Sequence, residues 1–323
     1  MSYNKPIRRV AIVGTGVIGA SWAAEFLASG FDVVATDPAP NAEANLRHYI
    51  DEAWPALTAK GLSPKASRKR LSFTLDMKAA VSQADLVQEN GPERPDFKIK
   101  LFADIDASTP SDSFIASSSS GITMSVMQSA CKHPERCVIG HPFNPPHMIP
   151  LVEVVGGAKT SPETVERVLA FYASIGKKPI HLRREVVGHV ANRLQAALYR
   201  DVVNLIHLGV LDVADADTAV SRGPGLRWGV MGPNMLFHLA GGGGGIQHFM
   251  EHLSGPVASW WKDLGSFTDW PDGSKEAIIA GVLGVLKEAD GRTVDQLAQM
   301  RDEVLLELVK LRAKYAETTA PAK

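Results

Sequence analysis

Near its N-terminus the chain reads Val10-Ala11-Ile12-Val13-Gly14-Thr15-Gly16-Val17-Ile18-Gly19. The apolar run that opens this stretch predicts a buried strand, and the spaced glycines predict a tight turn that leads into a helix. Gly30 marks the end of that helix, and a second apolar run, Asp32-Val33-Val34-Ala35-Thr36, leads to Asp37. Strand, glycine turn, helix, strand and acid in this order are typical of a dinucleotide-binding fold.

The three glycines of the turn have different physical roles. Gly14 permits the tight turn, Gly16 lets the backbone approach a pyrophosphate, and Gly19 allows the helix to pack close to the sheet. The unpaired N–H groups at the helix start, where Val17 and Ile18 lie, would hold the pyrophosphate at the positive end of the helix dipole. We therefore predict that a dinucleotide cofactor binds at this turn.

Asp37 indicates which dinucleotide is bound. Its carboxylate can accept hydrogen bonds from the ribose hydroxyls of the adenosine, and it would repel a 2′-phosphate. No Arg or Lys follows Asp37 before Arg47, so the sequence provides no nearby cation for a 2′-phosphate. The predicted cofactor is NAD rather than NADP.

The composition limits the class of protein. At about 150 residues per domain, a chain of 323 residues has room for two domains. A hydrophobic fraction of 45% and a net charge of −1 are typical of a soluble globular protein and give no reason to expect a nucleic-acid partner. Cys131 and Cys137 are too few for a disulfide framework, and the sequence has neither an apolar signal region nor a run that could span a bilayer. We expect a cytoplasmic protein that does not enter the membrane.

The order of apolar segments predicts an α/β fold followed by an all-helical domain. Apolar strands alternate with amphipathic helices in the first part, which favours a Rossmann-type, doubly wound and mostly parallel sheet. Further strands are expected near residues 71–74, 84–88, 114–117, 138–140, 151–155 and 178–182. Helical periodicity then takes over, so residues 1–185 are predicted to form the NAD-binding domain and residues 186–323 a helical domain for substrate binding and dimerisation. Residues 317–323 are expected to be a loose tail.

His141 is the strongest candidate for a catalytic base. It ends an apolar strand and opens a proline-rich loop, and in open α/β sheets the ligand crevice lies at the carboxyl ends of the strands. An imidazole suits proton removal because its ordinary pKa is about 6.5. Glu153 lies within the apolar run Leu151-Val152-Glu153-Val154-Val155, where an unpaired carboxylate would be costly to bury. We expect His141 to be its partner, although a purely structural histidine is the alternative.

Three other motifs leave alternatives open. The loop Ser117-Ser118-Ser119-Ser120-Gly121 can cap the next helix or can supply hydrogen bonds to cofactor and substrate. His248 and His252 lie four residues apart on a predicted helix, but the glutamate between them is not in the H-E-x-x-H position and no third ligand is apparent, so we expect no metal. The glycine run 241–245 is expected to be a flexible break between helices or a mobile loop over the substrate.

Taken in order, several motifs resemble the L-3-hydroxyacyl-CoA dehydrogenase superfamily, and the resemblance covers nearly the whole chain. They are Gly14-x-Gly16-x-x-Gly19, Glu93 with Lys98, Ser120, His141-Pro142-Phe143-Asn144-Pro145, Leu151-Val152-Glu153-Val154-Val155 and Asn192-Arg193-Leu194. The resemblance implies an NAD-dependent dehydrogenase. It also implies that Glu93 and Lys98 contact the cofactor and that Asn144 supports the catalytic cluster.

The same resemblance implies four catalytic residues. His141 is similar to the general base of the family, and Glu153 is similar to the carboxylate that orients it. Ser120 and Asn192 are similar to the groups that hydrogen-bond the reacting oxygen and position substrate and nicotinamide. Ser119 is a conservative departure, because the family commonly has threonine there.

Within the superfamily the chain resembles the branch that oxidises L-carnitine, and the branch of L-gulonate 3-dehydrogenase and lambda-crystallin is the nearest alternative. The stretches that carry this resemblance are Trp22-Ala23-Ala24, Asp37-Pro38-Ala39-Pro40, Ala53-Trp54-Pro55-Ala56-Leu57, Pro134-Glu135-Arg136-Cys137, Val154-Val155-Gly156-Gly157, Gly225-Leu226-Arg227-Trp228, Leu239-Ala240-Gly241-Gly242 and His248-Phe249-Met250. One departure concerns the substrate. Where carnitine-oxidising relatives tend to have an acidic residue after the paired glycines, this chain continues Gly243-Gly244-Gly245.

The expected reaction is the NAD-dependent oxidation of L-carnitine to 3-dehydrocarnitine by a homodimer. An aromatic face can receive the quaternary ammonium group, and the candidates are Trp228, Phe237 and Phe249. An arginine can bind the carboxylate, and the candidates are Arg193, Arg222 and Arg227. An L-3-hydroxyacyl-CoA dehydrogenase is the second enzyme alternative. Its CoA phosphates could contact a basic segment, for which a solvated helix face is the other explanation; the segment contains Lys60, Lys65, Arg68, Lys69 and Arg70. A crystallin-like structural protein that binds NAD without turnover is the alternative outside enzymes.

Overall fold

The computed structural model describes residues 5–288 and 291–316. It divides the chain into two compact units, Met1–Arg193 and Leu194–Lys323. The tail expected at residues 317–323 lies outside the described residues. No helix within the described ranges is both long enough and apolar enough to cross a membrane.

The first unit is built on an eight-stranded sheet in the order β3-β2-β1-β4-β5-β6-β7-β8. Neighbouring strands are parallel except β6 and β7, which are antiparallel. The strands are β1 (Arg9–Val13), β2 (Asp32–Thr36), β3 (Leu71–Phe73), β4 (Leu86–Glu89), β5 (Phe114–Ser117), β6 (Cys137–Pro142), β7 (Leu151–Gly156) and β8 (Lys178–His181).

Helices cover both faces of this sheet, because alternate residues of a strand point to opposite sides. In β1, Val10 and Ile12 pack into one apolar cluster with Trp22 and Phe26, whereas Ala11 and Val13 pack into another cluster that contains Phe102. The helices of this unit are α1 (Val17–Ala28), α2 (Ala42–Lys60), α3 (Met77–Val81), α4 (Pro95–Ser108), α5 (Met124–Met127) and α6 (Pro162–Ser174).

These observations confirm the predicted fold class and each of the predicted strands. One detail differs, because β6 extends through Pro142, so that His141 lies inside the strand rather than at its end. The added length comes from pairing with the antiparallel strand β7, in which His141 is the register partner of Glu153. The apolar pattern of the sequence does not reveal that the strand continues, since the polar residue His141 interrupts the pattern.

Every secondary-structure element described in the second unit is a helix, as predicted. Its helices, with the one that crosses the boundary between the units, are α7 (Ala191–His207), α8 (Val213–Arg222), α9 (Pro224–Trp228), α10 (Pro233–Ala240), α11 (Gly245–Trp261), α12 (Ser274–Glu288) and α13 (Val294–Ala316). The assignment of substrate binding and dimerisation to this unit stays a prediction.

The glycine run 241–245 forms a compact turn between α10 and α11. A Cβ on Gly241 would lie 1.8 Å from the carbonyl oxygen of Gly245, and Gly245 itself has a φ of +59°. The N–H of Ile246 donates to Nδ1 of His238 at 3.1 Å, which ties the end of the turn to α10. Sterically, this turn requires glycine at its two ends.

Candidate active site

The glycine turn lies where β1 and β4 are neighbours and the strand order reverses, which is the ligand crevice of an open α/β sheet. Gly14 has a φ of +88°, and its N–H donates to the carbonyl of Thr36 at 2.9 Å. A Cβ on Gly19 would lie 1.9 Å from the carbonyl oxygen of Gly14, so the helix approaches the turn as closely as glycine allows. A Cβ on Gly16, in contrast, would meet no atom within 4 Å.

The start of α1 fits the pyrophosphate of NAD. No side chain caps its N-terminus and no acidic residue lies in its first turn. The open space at Gly16 leaves the N–H groups of this turn accessible, and Val17 is 60% exposed at the same end. A helix N-terminus in this condition attracts an anionic ligand through its dipole and its unpaired donors.

Asp37 lies beside this turn and is already fixed by backbone donors. Its carboxylate accepts from the N–H of Thr15 at 2.7 Å and from the N–H of Ala39 at 2.8 Å. A carboxylate has about four lone-pair positions, so these bonds leave capacity for ribose hydroxyls. The residues predicted to hold NAD thus lie together at one end of the sheet, and their individual roles stay predictions.

His141 and Glu153 form a buried pair across the β6–β7 ladder. Nδ1 of His141 lies 2.8 Å from Oε2 of Glu153, and the two residues are 6% and 0% exposed. Oε1 of Glu153 accepts from the N–H groups of Val190 and Ala191 at 2.8 and 2.9 Å. Burial by itself would raise the pKa of Glu153, but these hydrogen bonds and the imidazole outweigh it and lower the pKa.

The ionised carboxylate fixes the tautomer of the imidazole. An ionised carboxylate can only accept hydrogen bonds, so Nδ1 of His141 carries the proton and Nε2 keeps its lone pair. The pairing that we expected from the sequence is therefore observed. Chemically, the arrangement is a proton acceptor backed by a fixed negative charge, as general base catalysis requires.

The serine loop after β5 is held by Glu93. Oγ of Ser119 donates to Oε1 of Glu93 at 2.6 Å, and the N–H of Gly121 donates to the same oxygen at 2.9 Å. Burial raises the pKa of Glu93, but these hydrogen bonds and the charge of Lys98 outweigh it and lower the pKa. The Ser120 side chain is left exposed at the tip of a fixed loop.

Asn192 contacts this loop from the first turn of α7. Its Nδ2 donates to the carbonyl of Ser120 at 3.4 Å. Because the N–H of the preceding residue, Ala191, donates to Glu153, the start of α7 is tied both to the serine loop and to the carboxylate behind His141. Ser120, His141, Glu153 and Asn192 are thus linked through short contacts within the first unit. Asn144, on the loop after β6, is exposed.

Lys98 is placed differently from a residue that simply faces a cofactor. It is 1% exposed, and its Nζ donates to both carboxylate oxygens of Glu89 at 2.9 Å. Nζ also lies 3.7 Å from Glu93. The geometry gives Lys98 the task of holding two carboxylates, and its direct contact with a cofactor stays a prediction.

Glu89 was not among the site residues predicted from the sequence, although it is the last residue of β4. His141 occupies a similar place, one residue before the end of β6. Glu89 is fully buried and accepts from Oγ of Ser117 and from the N–H of Gly91, both at 2.6 Å. Its position at the carboxyl end of β4 is the signal that could have revealed it.

A second buried network holds the connection between β6 and β7. Lys60 donates to Oε2 of Glu25 at 2.7 Å and to the carbonyl of His147 at 2.9 Å. Lys177 donates to the carbonyl of Pro146 and lies 3.6 Å from Glu25. Burial lowers the pKa of Lys177 to about 8, against the opposing charge of Glu25. Two ammonium groups and one carboxylate therefore fix the loop that joins His141 to Glu153.

The aromatic candidates for substrate binding in the second unit differ in how exposed their side chains are. Trp228 and Phe237 are each 41% exposed. Phe249 is 7% exposed and stacks on Phe237 with ring centroids 4.5 Å apart. Of the three rings, Phe249 thus has mainly a packing role.

The histidine pair of α11 has an acidic neighbour. His248, Glu251 and His252 are exposed, and each offers a ligand atom within 4.8 Å of the others. Nδ1 of His252 lies 2.9 Å from the carbonyl of His248. Exposed acidic groups lie near histidines in many proteins that bind no metal, and the absence of a metal here stays a prediction.

Two family models match the chain. The model described as 3-hydroxyacyl-CoA dehydrogenase, NAD binding domain, matches residues 9–186. The model described as 3-hydroxyacyl-CoA dehydrogenase, C-terminal domain, matches residues 188–276. The first match covers the sheet and all of its helices.

Among similar proteins, L-carnitine dehydrogenase of Bacillus cereus is 46% identical, over 96% of this chain and 94% of that protein. L-carnitine dehydrogenase of Streptomyces griseus is 46% identical, over 98% of this chain and 93% of that protein. A solved structure of 5-formyl-3-hydroxy-2-methylpyridine 4-carboxylic acid 5-dehydrogenase, an NAD⁺-dependent dismutase, is 34% identical with a TM-score of 0.80. It covers 95% of this chain and 98% of that chain.

Two glycine substitutions should separate folding from cofactor binding. In G19A the new methyl group overlaps the carbonyl of Gly14, and we expect a loss of about 1–3 kcal/mol in the free energy of unfolding. In G16A the methyl group meets no protein atom, so stability should change by less than about 0.5 kcal/mol. NADH affinity of G16A should fall by about tenfold, since the methyl group fills the space open to the pyrophosphate. Urea denaturation measures the free energy of unfolding, and a fluorescence titration measures the NADH affinity. Normal NADH binding by G16A would contradict the placement of the pyrophosphate at Gly16.

Lys177 should make stability depend on pH in the alkaline range. The folded protein loses this proton near pH 8, whereas an unfolded chain keeps it to about 10.5, so between these values the unfolded state binds more protons. The free energy of unfolding should therefore rise with pH, relative to K177M, by up to about 1.4 kcal/mol per pH unit. Urea denaturation of both proteins at about pH 7, 8 and 9 gives this difference. A difference that stays flat or falls with pH would contradict the prediction.

Proposed function

The chain belongs to the 3-hydroxyacyl-CoA dehydrogenase family and is an NAD-dependent oxidoreductase, and on that premise we propose that it oxidises the 3-hydroxyl group of L-carnitine to give 3-dehydrocarnitine. The observation that carries the chemistry is the buried His141–Glu153 pair. The choice of carnitine rests on the likeness to proteins named L-carnitine dehydrogenase over almost the full chain.

In the proposed reaction His141 is the general base. Its Nε2 keeps a lone pair because Nδ1–H is bound to Glu153, so Nε2 takes the proton of the substrate hydroxyl. Glu153 then stabilises the imidazolium, since its charge lies 2.8 Å from Nδ1 and is itself held by two backbone N–H groups. NAD, when bound, supplies the acceptor for the hydride. Ser120 and Asn192 bind the reacting oxygen and position the substrate.

The cofactor is held by the residues at the carboxyl end of β1 and by the serine loop. Gly16, Val17 and Ile18 bind the pyrophosphate at the turn that Gly14 and Gly19 shape, and Asp37 binds the adenosine ribose. Supporting contacts come from Glu93, which fixes the serine loop, and from Lys98, which fixes Glu93.

The two ends of the substrate need different partners. An exposed aromatic ring such as Trp228 or Phe237 offers a face to the quaternary ammonium group, which cannot donate a hydrogen bond. For the carboxylate the candidates are Arg193, Arg222 and Arg227. The glycine turn 241–245 offers no carboxylate to the cation, so the proposal assigns the cation to an aromatic face.

An acyl-CoA substrate is less well supported. Of the basic residues between 60 and 70, Lys60 is engaged with Glu25, Arg68 pairs with Asp51, and Arg70 pairs with Asp32. These ion pairs compete with CoA phosphates for the same side chains.

We further propose that the chain acts as a cytoplasmic homodimer. The helical unit exposes many large apolar side chains, including Leu208, Leu226, Trp260, Trp261 and Leu283. An apolar surface of this extent is typical of a protein interface, and a second copy would cover it through the helical unit. Cys131 and Cys137 are both free thiols, which fits a reducing compartment.

NADH production across a substrate panel tests the proposed function. We expect a higher kcat/KM on L-carnitine than on L-gulonate, 3-hydroxybutyrate and 3-hydroxybutyryl-CoA. In the reverse direction, dehydrocarnitine should be reduced faster than acetoacetyl-CoA. A higher rate on the CoA thioester would replace carnitine by an acyl-CoA as the substrate class.

Replacement of the base tests the mechanism. H141A should lower kcat by about 10²–10⁴, because no other group takes the hydroxyl proton. NADH affinity should stay within about twofold of the wild type, since His141 lies outside the glycine turn. Steady-state kinetics and NADH fluorescence give the two values. If turnover and NADH binding disappeared together, His141 would be a structural residue.

A further inference from the structure

His189 lies in the loop before α7 and combines three unusual features. It is 1% exposed, its φ of +50° lies in the left-handed region, and its Nδ1 has no hydrogen-bond partner among the described residues. Each feature costs folding free energy, because non-glycine residues avoid this backbone region and buried polar atoms need partners. A residue kept under such conditions is not explained by the stability of the fold.

The side-chain contacts of His189 lead to the proposed catalytic residues. Its Nε2 lies 3.0 Å from the carbonyl oxygen of Ser119, the residue before Ser120. Its ring lies 5.1 Å from the ring of His141, with a tilt of 45°. The next residue, Val190, donates its N–H to Glu153.

The protonation state of His189 follows from its surroundings. Burial lowers its pKa, as does the nearby His141, whereas the bond to Ser119 and the carboxylates Glu153 and Glu93 oppose the shift. The net result is a neutral imidazole. Because a carbonyl can only accept a hydrogen bond, the proton is on Nε2 and the bond is Nε2–H to Ser119.

We propose that His189 is a positioning residue whose Nε2–H holds the peptide between Ser119 and Ser120 in place beside the ring of His141. This inference rests on the proposed function, since it assigns a task relative to the catalytic Ser120 and His141. The serine loop is then fixed from two sides, by Glu93 on the Ser119 hydroxyl and by His189 on the Ser119 carbonyl.

Two variants that differ by one methylene group test the proposal. In H189Q the side-chain amide nitrogen reaches about as far as Nε2, so it can still donate to Ser119. In H189N the amide is too short for this bond, while asparagine tolerates the left-handed backbone better than histidine does. The thermal midpoint of each variant is measured alongside its rate, so a change in rate can be separated from a failure to fold.

We expect kcat of H189N, on the best substrate of the panel, to fall by about tenfold, and the NADH affinity to fall by less than kcat, because the glycine turn is left intact. H189Q should recover kcat to within about threefold of the wild type. Both variants should be folded at the assay temperature, as their thermal midpoints show. Equal kcat values for H189N and the wild type would overturn the proposal. So would a loss of rate that follows a loss of stability, with H189Q no better than H189N.

A second measurement does not depend on turnover. In wild-type protein, ¹H–¹⁵N spectra of the histidine rings should show His189 as a neutral Nε2–H tautomer at pH 6.5, the ordinary histidine pKa. The backbone amide resonance of Ser120 should move in H189N and stay near its wild-type position in H189Q. A proton on Nδ1, or an unmoved Ser120 amide in H189N, would overturn the proposal. If no 3-hydroxy acid is oxidised, the proposed function fails, and these spectra still decide the role of His189.

Discussion

The carboxylate of Glu153 connects the parts of the site. One oxygen lies 2.8 Å from Nδ1 of His141, and the other accepts the N–H groups of Val190 and Ala191 at the start of α7. A single buried charge thus joins a strand pair to a helix N-terminus, whose dipole favours an anion. This bond sets the tautomer of His141, and it also sets where α7 begins and hence where Asn192 lies. Losing the carboxylate would disturb the His141 ring and the start of α7 together.

Around this pair the first unit buries several other charges, and each has an opposite charge within reach. Glu89 holds Lys98, Glu25 holds Lys60 and Lys177, and Asp106 holds Arg136. Buried ion pairs add little net stability, because desolvation offsets their attraction, but removing one partner is costly. Two of the three clusters contact site loops: Lys98 lies near Glu93 of the serine loop, and the Glu25 cluster binds carbonyls of the β6–β7 connection. The buried charges of this unit therefore serve mainly to fix loop geometry.

Much of the fold could be predicted because its signals are local. The glycine turn, the apolar runs of the strands and the helical periodicity after residue 185 each lie within a short stretch, and each predicted element is present. His141 and Glu153 could be paired in advance, since a carboxylate within an apolar strand needs a partner. The place of Lys98 was harder to predict, because the family resemblance implied a cofactor contact, whereas its closest partner is Glu89. That preference depends on how α4 lies against β4, which no local pattern encodes.

The sequence by itself determined the fold class, the cofactor type and the pairing of His141 with Glu153, because each follows from residue type and position within a short segment. Only the tertiary structure decided three contacts. Lys177 and Lys60 both pair with Glu25, the first residue of α7 donates its N–H to Glu153, and His189 donates to the carbonyl of Ser119. The residues in these contacts are separated by between 35 and 152 positions. Whether such residues meet depends on strand order and on the path of the loops, and these result from packing the whole sheet rather than from any one segment.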